Sequence, residues 1–345
     1  MKKRVFWVFF TIVLSALTIC ALFHNGGLSV SEFLQDVREA SPIWLVPAAL
    51  CMLGFIFFEG RSLVLILRTL GYPAKKRRGF VYAAADIYFS SITPSATGGQ
   101  PASAFFMHKD GIPAGAATVA LILNLTMYTL SIITLGLLSI IFFPGVFIEF
   151  TTPCKVMIFI GIAMMSGLTA FFILLLKKQA ILLKICDIIA SAMEKFNLKK
   201  PAERFRRKID GVMEKYKECV VTLAGKKGLL AKTYLLNLLQ RASQILVAVF
   251  CYYAMKGDIS KGLKIFAIQT YVVVGSNFIP VPGAVGISEF LMYFGYASLL
   301  SYEAACSLAI LSRGISFYTC SIISFFTVIL GFALIQFRKN KEGKL

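Results

Sequence analysis

Residues 92–112 read ITPSATGGQPASAFFMHKDGI, and this stretch interrupts one of the longest apolar regions of the chain with prolines, glycines, hydroxyls and an amide. Pro94 and the pair Gly98 and Gly99 stop one helix, and Gln100 and Pro101 begin another, because proline suits a first helical turn and glycine permits the tight entry. Irregular backbone at membrane depth has to be sheltered by protein or by water. The segment is therefore expected to be the tip of a broken helix pair. Residues 279–290, IPVPGAVGISEF, repeat the device: Pro282 and Gly286 have the spacing of Pro94 and Gly98, and each pair leads into a short apolar helix. Two broken helices at corresponding places in two halves of a chain point to a transporter's binding site.

The rest of the sequence supplies the membrane. Of 345 residues, 58% are hydrophobic and 15% charged, and several apolar runs reach the ~20 residues needed to cross about 30 Å of hydrocarbon. The chain reads as an all-α polytopic membrane protein forming a single integral membrane domain over residues 1–345. The net charge of +19 has to be read by location, since basic residues collect in cytoplasmic loops. Eight cysteines without a CxxC pair read as small buried hydrophobes, and two histidines, His24 and His108, share no ligand spacing. No metal, cofactor or catalytic residue is expected.

In chain order, Lys2, Lys3 and Arg4 precede an apolar run from Val5 to Phe23, read as an uncleaved first helix entering from the cytoplasm. An acidic loop, Asn25 to Ser41, follows on the outer side. Pro42 to Leu67 returns inward to Arg68, Lys75, Lys76, Arg77 and Arg78. Phe80 to Thr93 and Ala102 to His108 are each too short to cross at 1.5 Å per residue and form a re-entrant hairpin. Ile112 to Phe143 crosses outward and Val156 to Leu176 inward.

Residues 177–228 hold fourteen Lys and Arg against six Asp and Glu, with apolar positions at helical spacing, and are expected to form amphipathic helices on anionic headgroups at the cytoplasmic face. A nucleic-acid dock there lacks aromatic interleaving, and no nucleic acid is expected. Leu229 to Met255 crosses outward, Leu263 to Ile279 and Gly286 to Leu300 form the second hairpin, and Glu303 to Phe337 ends in a basic tail. The parity is that of an inverted repeat, residues 1–143 and 154–337, with six long helices, two re-entrant hairpins and both termini cytoplasmic. The turn from Lys256 to Lys264 runs against this: it is placed outside, yet carries three lysines and one aspartate.

Ionisable residues in spans are costly and usually functional. Here they are Glu59, Arg61, Asp86, Arg241, Glu289 and Arg313. Arg241 and Arg313 lie too deep to snorkel, with Glu289, Asp86 and Glu59 as candidate partners; each arginine either forms a structural ion pair or meets a lipid phosphate. Glu59 and Arg61 are expected to snorkel at the inner end of their helix. The half-helices starting near Gly99 and Gly286 present N-termini that either bind an anion or are capped by Ser95, Thr97 or Ser288. Tyr88, Asn124, Gln240, Gln269 and Asn277 either line a polar path or join helices.

Three groups of residues carry a family likeness. Gly98-Gly99-Gln100-Pro101 with Lys109-Asp110-Gly111-Ile112, then Pro280-Val281-Pro282-Gly283 with Gly286 and Glu289, then Ser312-Arg313-Gly314-Ile315-Ser316-Phe317-Tyr318 resemble the lysylphosphatidylglycerol synthase transmembrane family. This is the flippase-like membrane part of the multiple peptide resistance factor and its stand-alone relatives. Where members often have a second glycine after Pro-Gly, this chain has Ala284.

The resemblance implies translocation of an anionic or aminoacylated phospholipid across the cytoplasmic membrane, with a separate lipid-modifying enzyme as a possible partner. The substrate-binding set it suggests is Gly98, Gly99, Gln100, Pro101, Pro282, Gly283, Gly286, Glu289 and Arg313, joined by Arg241 and Asp86 from the cost of burying them. Polyprenyl-phosphate sugars or a small solute are alternative cargoes. Phosphatidylglycerol lysyltransferase activity is not expected, because the basic linker is too short for an acyltransferase fold and the chain ends at Leu345. No Walker lysine motif points to ATP.

Overall fold

The structure, a computed structural model, describes residues 30–195 and 199–342 as helices and their connections, with no strand among the described residues. The expected first helix, Val5 to Phe23, lies outside the described residues. The acidic segment read as a loop contains helix α1 (Val30–Glu39), with Glu32 in its first turn and Arg38 in its last, charges that complement the helix dipole.

Then follow α2 (Pro42–Thr69), α3 (Lys76–Ser91), α4 (Gly99–Lys109), α5 (Ala114–Phe142), a short α6 (Pro144–Glu149) and α7 (Thr152–Lys177). The basic linker forms α8 (Gln179–Lys195) and α9 (Lys199–Leu223). The second half continues with α10 (Lys227–Ala254), α11 (Gly262–Ser276), α12 (Ile287–Tyr296), α13 (Tyr302–Arg313), a π-helical segment Gly314–Thr319, and α14 (Cys320–Glu342).

Five helices among the described residues are long and apolar enough to cross a membrane: α2, α5, α7, α10 and the 35-residue run Tyr302–Gln336 that joins α13 to α14. By contrast α3 and α4, at 16 and 11 residues, are about 24 and 16 Å long at 1.5 Å per residue, and pack on each other as a hairpin. α11 and α12 pack in the same way.

α2 runs along α10 at the centre. Small residues bring the helices close: a Cβ at Gly60 of α2 would lie 2.6 Å from the backbone of Gly79 in α3. A buried polar knot ties three spans together. Asn124 Oδ1 of α5 accepts from Ser62 Oγ of α2 at 2.6 Å and from Asn237 Nδ2 of α10 at 3.1 Å.

The two ends differ in charge. At one end Asp110 binds Arg78 through two nitrogens and accepts the Tyr82 hydroxyl at 2.6 Å, which locks the base of the first hairpin. On the same end α9 packs on the start of α5, where a Cβ at Gly115 would lie 2.7 Å from Tyr216 N, and Tyr216 donates to the Leu175 carbonyl at 2.9 Å. Burial pushes the Tyr216 phenol up to about 12.

At the other end Ser41 N–H binds the Ala254 carbonyl at 2.8 Å, Ser307 donates to Asp36, and Lys256 lies 3.4 Å from Glu39. The basic turn that opposed the charge rule therefore sits beside the acidic α1, so part of its charge is neutralised locally.

Candidate functional site

Each hairpin tip is one 3-10 turn, Pro94–Ala96 and Pro282–Ala284, and the two turns pack on each other. Their backbones correspond through the turn itself and part after it, where Thr97 is helical (ψ −18°) and Val285 extended (ψ 140°). After each proline two residues are left-handed, Ser95 (φ 51°) and Ala96 (φ 54°) in the first and Gly283 (φ 59°) and Ala284 (φ 50°) in the second. Three residues other than glycine thus hold a conformation that costs an L-residue about 1–2 kcal/mol. Strain of this kind clusters at ligand clamps and switch regions.

The helices that leave the tips are capped from within. Gly98 N–H donates to Thr93 Oγ1 at 2.9 Å, and Gly286 N–H, at φ 89°, donates to Glu289 Oε2 at 2.7 Å. Thr93 and Glu289 take the places proposed for Ser95, Thr97 and Ser288. Gly99 packs against α3, where a Cβ would lie 2.6 Å from the Asp86 carbonyl as well as against its carboxylate. Gly98 and Gly99 act by close packing of the hairpin legs, whereas Gly286 supplies a positive φ.

Between the tips and the central helices lies a partly open cavity of about 570 Å³. Of the residues suggested by sequence, Asp86, Gln100, Arg241, Gly283 and Arg313 line it, as do Glu59, Asn124, Gln269 and Asn277. Gly98, Gly99, Pro101, Pro282, Gly286 and Glu289 are not among its lining residues, and Pro101 is exposed. Tyr88 lies elsewhere, with its ring 5.3 Å from that of Phe325.

Arg313 pairs with Glu289. Its Nε donates to Glu289 Oε1 at 2.7 Å, a second nitrogen binds the Gly283 carbonyl, and the guanidinium lies 4.2 Å from the centre of the Phe317 ring. One arginine therefore fixes the tip, the capping glutamate and the π-helical segment together.

Arg241 is different. It is 4% exposed, its guanidinium lies 3.9 Å over the ring of Tyr128 and 4.8 Å from that of Phe55, and Nη1 donates to Gln244 Oε1 at 2.6 Å. Among the described residues no carboxylate lies within ion-pair distance of it, and its Nε–H has no acceptor. Desolvated cation–π contacts add about 2 kcal/mol or more, yet a buried donor without an acceptor costs about 1–3 kcal/mol. Tyr128 and Phe55 could not be picked out by sequence, because a ring in an apolar helix has the pattern of core packing.

Glu59 does not snorkel. It is 5% exposed, and its carboxylate accepts from Gln240 Nε2 at 2.7 Å. The α2–α10 packing turns it inward to face Asp86, itself 7% exposed and bonded by Ser90 at 3.1 Å and by Gln100. Arg61 is half-buried. No cluster of three or more metal-ligating side chains occurs among the described residues.

Comparison with known proteins places this geometry in context. The family described as "Lysylphosphatidylglycerol synthase TM region" matches residues 8–324. A protein described as "UPF0104 membrane protein" from Archaeoglobus fulgidus is 22% identical over 312 residues, spanning 88% of this chain and 92% of that protein. No solved structure matches.

Proposed function

The chain belongs to the lysylphosphatidylglycerol synthase transmembrane-region family and is a multi-pass membrane protein, and from that premise we propose that it translocates an anionic phospholipid in the manner of a flippase or scramblase. The headgroup passes through the cavity between the two hairpins. Arg241 carries this reading: a guanidinium that lines the cavity, with no carboxylate within ion-pair distance among the described residues, suits a phosphodiester oxygen. Arg313 lines the same cavity.

The cavity has an apolar wall suited to acyl chains. Met164, Leu168 and Phe172 of α7 line it, and Met164 is about half exposed. A small polar solute has no use for such a wall. An aminoacylated headgroup has an ammonium as well as a phosphate, and Glu59 and Asp86 are placed to receive the former while the arginines hold the latter.

In this reading the two hairpins are the equivalent elements of an inverted repeat in the cytoplasmic membrane, with both chain ends cytoplasmic, and the matching tip conformations support it. The basic α8 and α9 rest on anionic headgroups of the inner leaflet, and a separate enzyme would supply any aminoacylated lipid.

The test is reconstitution in vesicles carrying fluorescent short-chain phosphatidylglycerol in both leaflets, with external dithionite reporting the fraction exchanged. Wild-type protein accelerates exchange over protein-free vesicles, and Arg241→Gln of equal fold and insertion slows it. Equal exchange with and without protein would remove the proposal.

A further inference from the structure

Glu59 and Asp86 come from different helices, are both more than nine-tenths buried, and lie within hydrogen-bonding reach of one another inside the cavity. Two carboxylates that share a site resist ionising together, because each destabilises the other's charge in a medium too dry to screen it. A hydrogen bond between two carboxyl groups also requires one of them to carry a proton.

The surroundings set how many protons the pair holds. From α10 come Arg241, the one cation near the pair among the described residues, and Gln240, whose amide donates to Glu59. α5 contributes Tyr128, whose hydroxyl donates to Asn277 at 2.9 Å, and the start of α14 contributes Cys320. α4 contributes Gln100, and α3 itself Ser90, both donors to Asp86. Ionised singly, the pair balances Arg241. Ionised doubly, it leaves one negative charge unbalanced in the membrane interior.

We infer that Glu59 and Asp86 form a proton-binding site that holds one proton in the empty cavity and takes up a second when an anionic headgroup engages Arg241, so that a proton accompanies the lipid. The direction follows from charge. A phosphate beside Arg241 draws on the positive charge that stabilised the remaining carboxylate, so uptake of a proton restores neutrality. The proton is taken up with the lipid on one side of the membrane and released with it on the other. The proton site stands on the two carboxylates alone; what the proton accompanies rests on the translocation reading above.

Two measurements on the full-length protein separate the parts. Infrared spectroscopy of wild-type protein in nanodiscs at pH 7 is expected to show a protonated-carboxyl band. Glu59→Gln and Asp86→Asn should each abolish it, since a lone carboxylate beside Arg241 ionises. Thermal unfolding of both variants verifies that they remain folded, and the double variant is the control for a misfolded single. Absence of the band in wild type, or its survival in both folded single variants, overturns the proton site.

The second measurement uses the phosphatidylglycerol vesicles with an imposed pH gradient. Net lipid movement is expected to rise severalfold over the no-gradient rate and to fall back with a protonophore. Lipid exchange indifferent to the pH gradient, or driven by a sodium gradient instead, overturns the coupling and leaves translocation intact. No lipid movement in any vesicle overturns translocation, and coupling with it, while the infrared result still decides the proton site.

Discussion

Arg313 and Glu289, 24 residues apart in the chain, are joined at 2.7 Å, and the second oxygen of Glu289 caps Gly286 at 2.7 Å. The pair is thus a bridge from α13 to the N-terminus of α12, and Arg313 extends it to the tip through the Gly283 carbonyl. Arginine's fork makes both contacts at once, which a lysine ammonium on a flexible stem cannot reproduce.

Arg313→Lys is therefore expected to insert and remain monodisperse while lipid exchange falls about tenfold, the loss of about one charge-assisted hydrogen bond. Arg313→Ala leaves a buried carboxylate unpaired and should lower stability in detergent by about 3–5 kcal/mol. Adding Glu289→Ala recovers only part of that, because it also removes the cap. Wild-type exchange by a well-folded Arg313→Lys would make the bridge purely structural.

The two adjacent glycines of the first hairpin should respond differently to one added methyl. At Gly99 it meets the Asp86 backbone carbonyl at 2.6 Å, which can yield only if the hairpin legs separate. At Gly98 the nearest atom is a Thr93 side-chain carbon at 2.7 Å, with the Phe89 carbonyl at 3.1 Å. Overpacking costs about 1–3 kcal/mol. Gly99→Ala is expected at or above the top of that range and Gly98→Ala below it, read from thermal unfolding in one detergent. The reverse order would contradict the packing described.

Ala284 occupies a left-handed position at φ 50° where no Cβ is comfortable. Ala284→Gly relieves the strain but frees the unfolded chain, so a net gain of about 0.5–1 kcal/mol is expected. A loss of stability would show that the Ala284 methyl contributes packing that outweighs its strain.

The Lys256–Glu39 pair is 70% and 55% exposed, and such pairs contribute little in water. The Gln35 amide, and then Lys256, hold the Glu39 carboxyl below its ordinary value. Its contribution is therefore present above the usual glutamate range and lost as pH falls through the lowered value. Glu39→Gln should leave the unfolding midpoint unchanged at neutral pH, in low and high salt alike. A clear drop at low salt would assign this pair a structural role.

The hairpins were legible because proline and glycine act locally. Pro94 and Pro282 remove helical donors, Gly286 supplies a positive φ while Gly98 permits close packing, and the shared spacing returned as two turns with the same pair of left-handed residues after the proline. Asp110, legible only as part of a motif, turned out to be the acceptor that locks Arg78 and Tyr82 at the hairpin base. Tyr128 and Phe55 carried no signal, and Glu59 misled, because its position in the chain suggested the membrane surface.

Sequence by itself determined which described segments are long and apolar enough to cross and where the chain breaks between them, since run length against bilayer thickness and the geometry of proline and glycine are properties of neighbouring residues. It narrowed the partners of Arg241 and Arg313 to three carboxylates and went no further. Tertiary structure decided that Arg313 takes Glu289, that Arg241 keeps an unaccepted N–H over Tyr128, and that Glu59 faces Asp86. Those outcomes depend on the rotation of each helix about its axis. In an apolar helix that rotation is set by packing against elements distant in the chain, as Gln240 meets Glu59 across 181 residues.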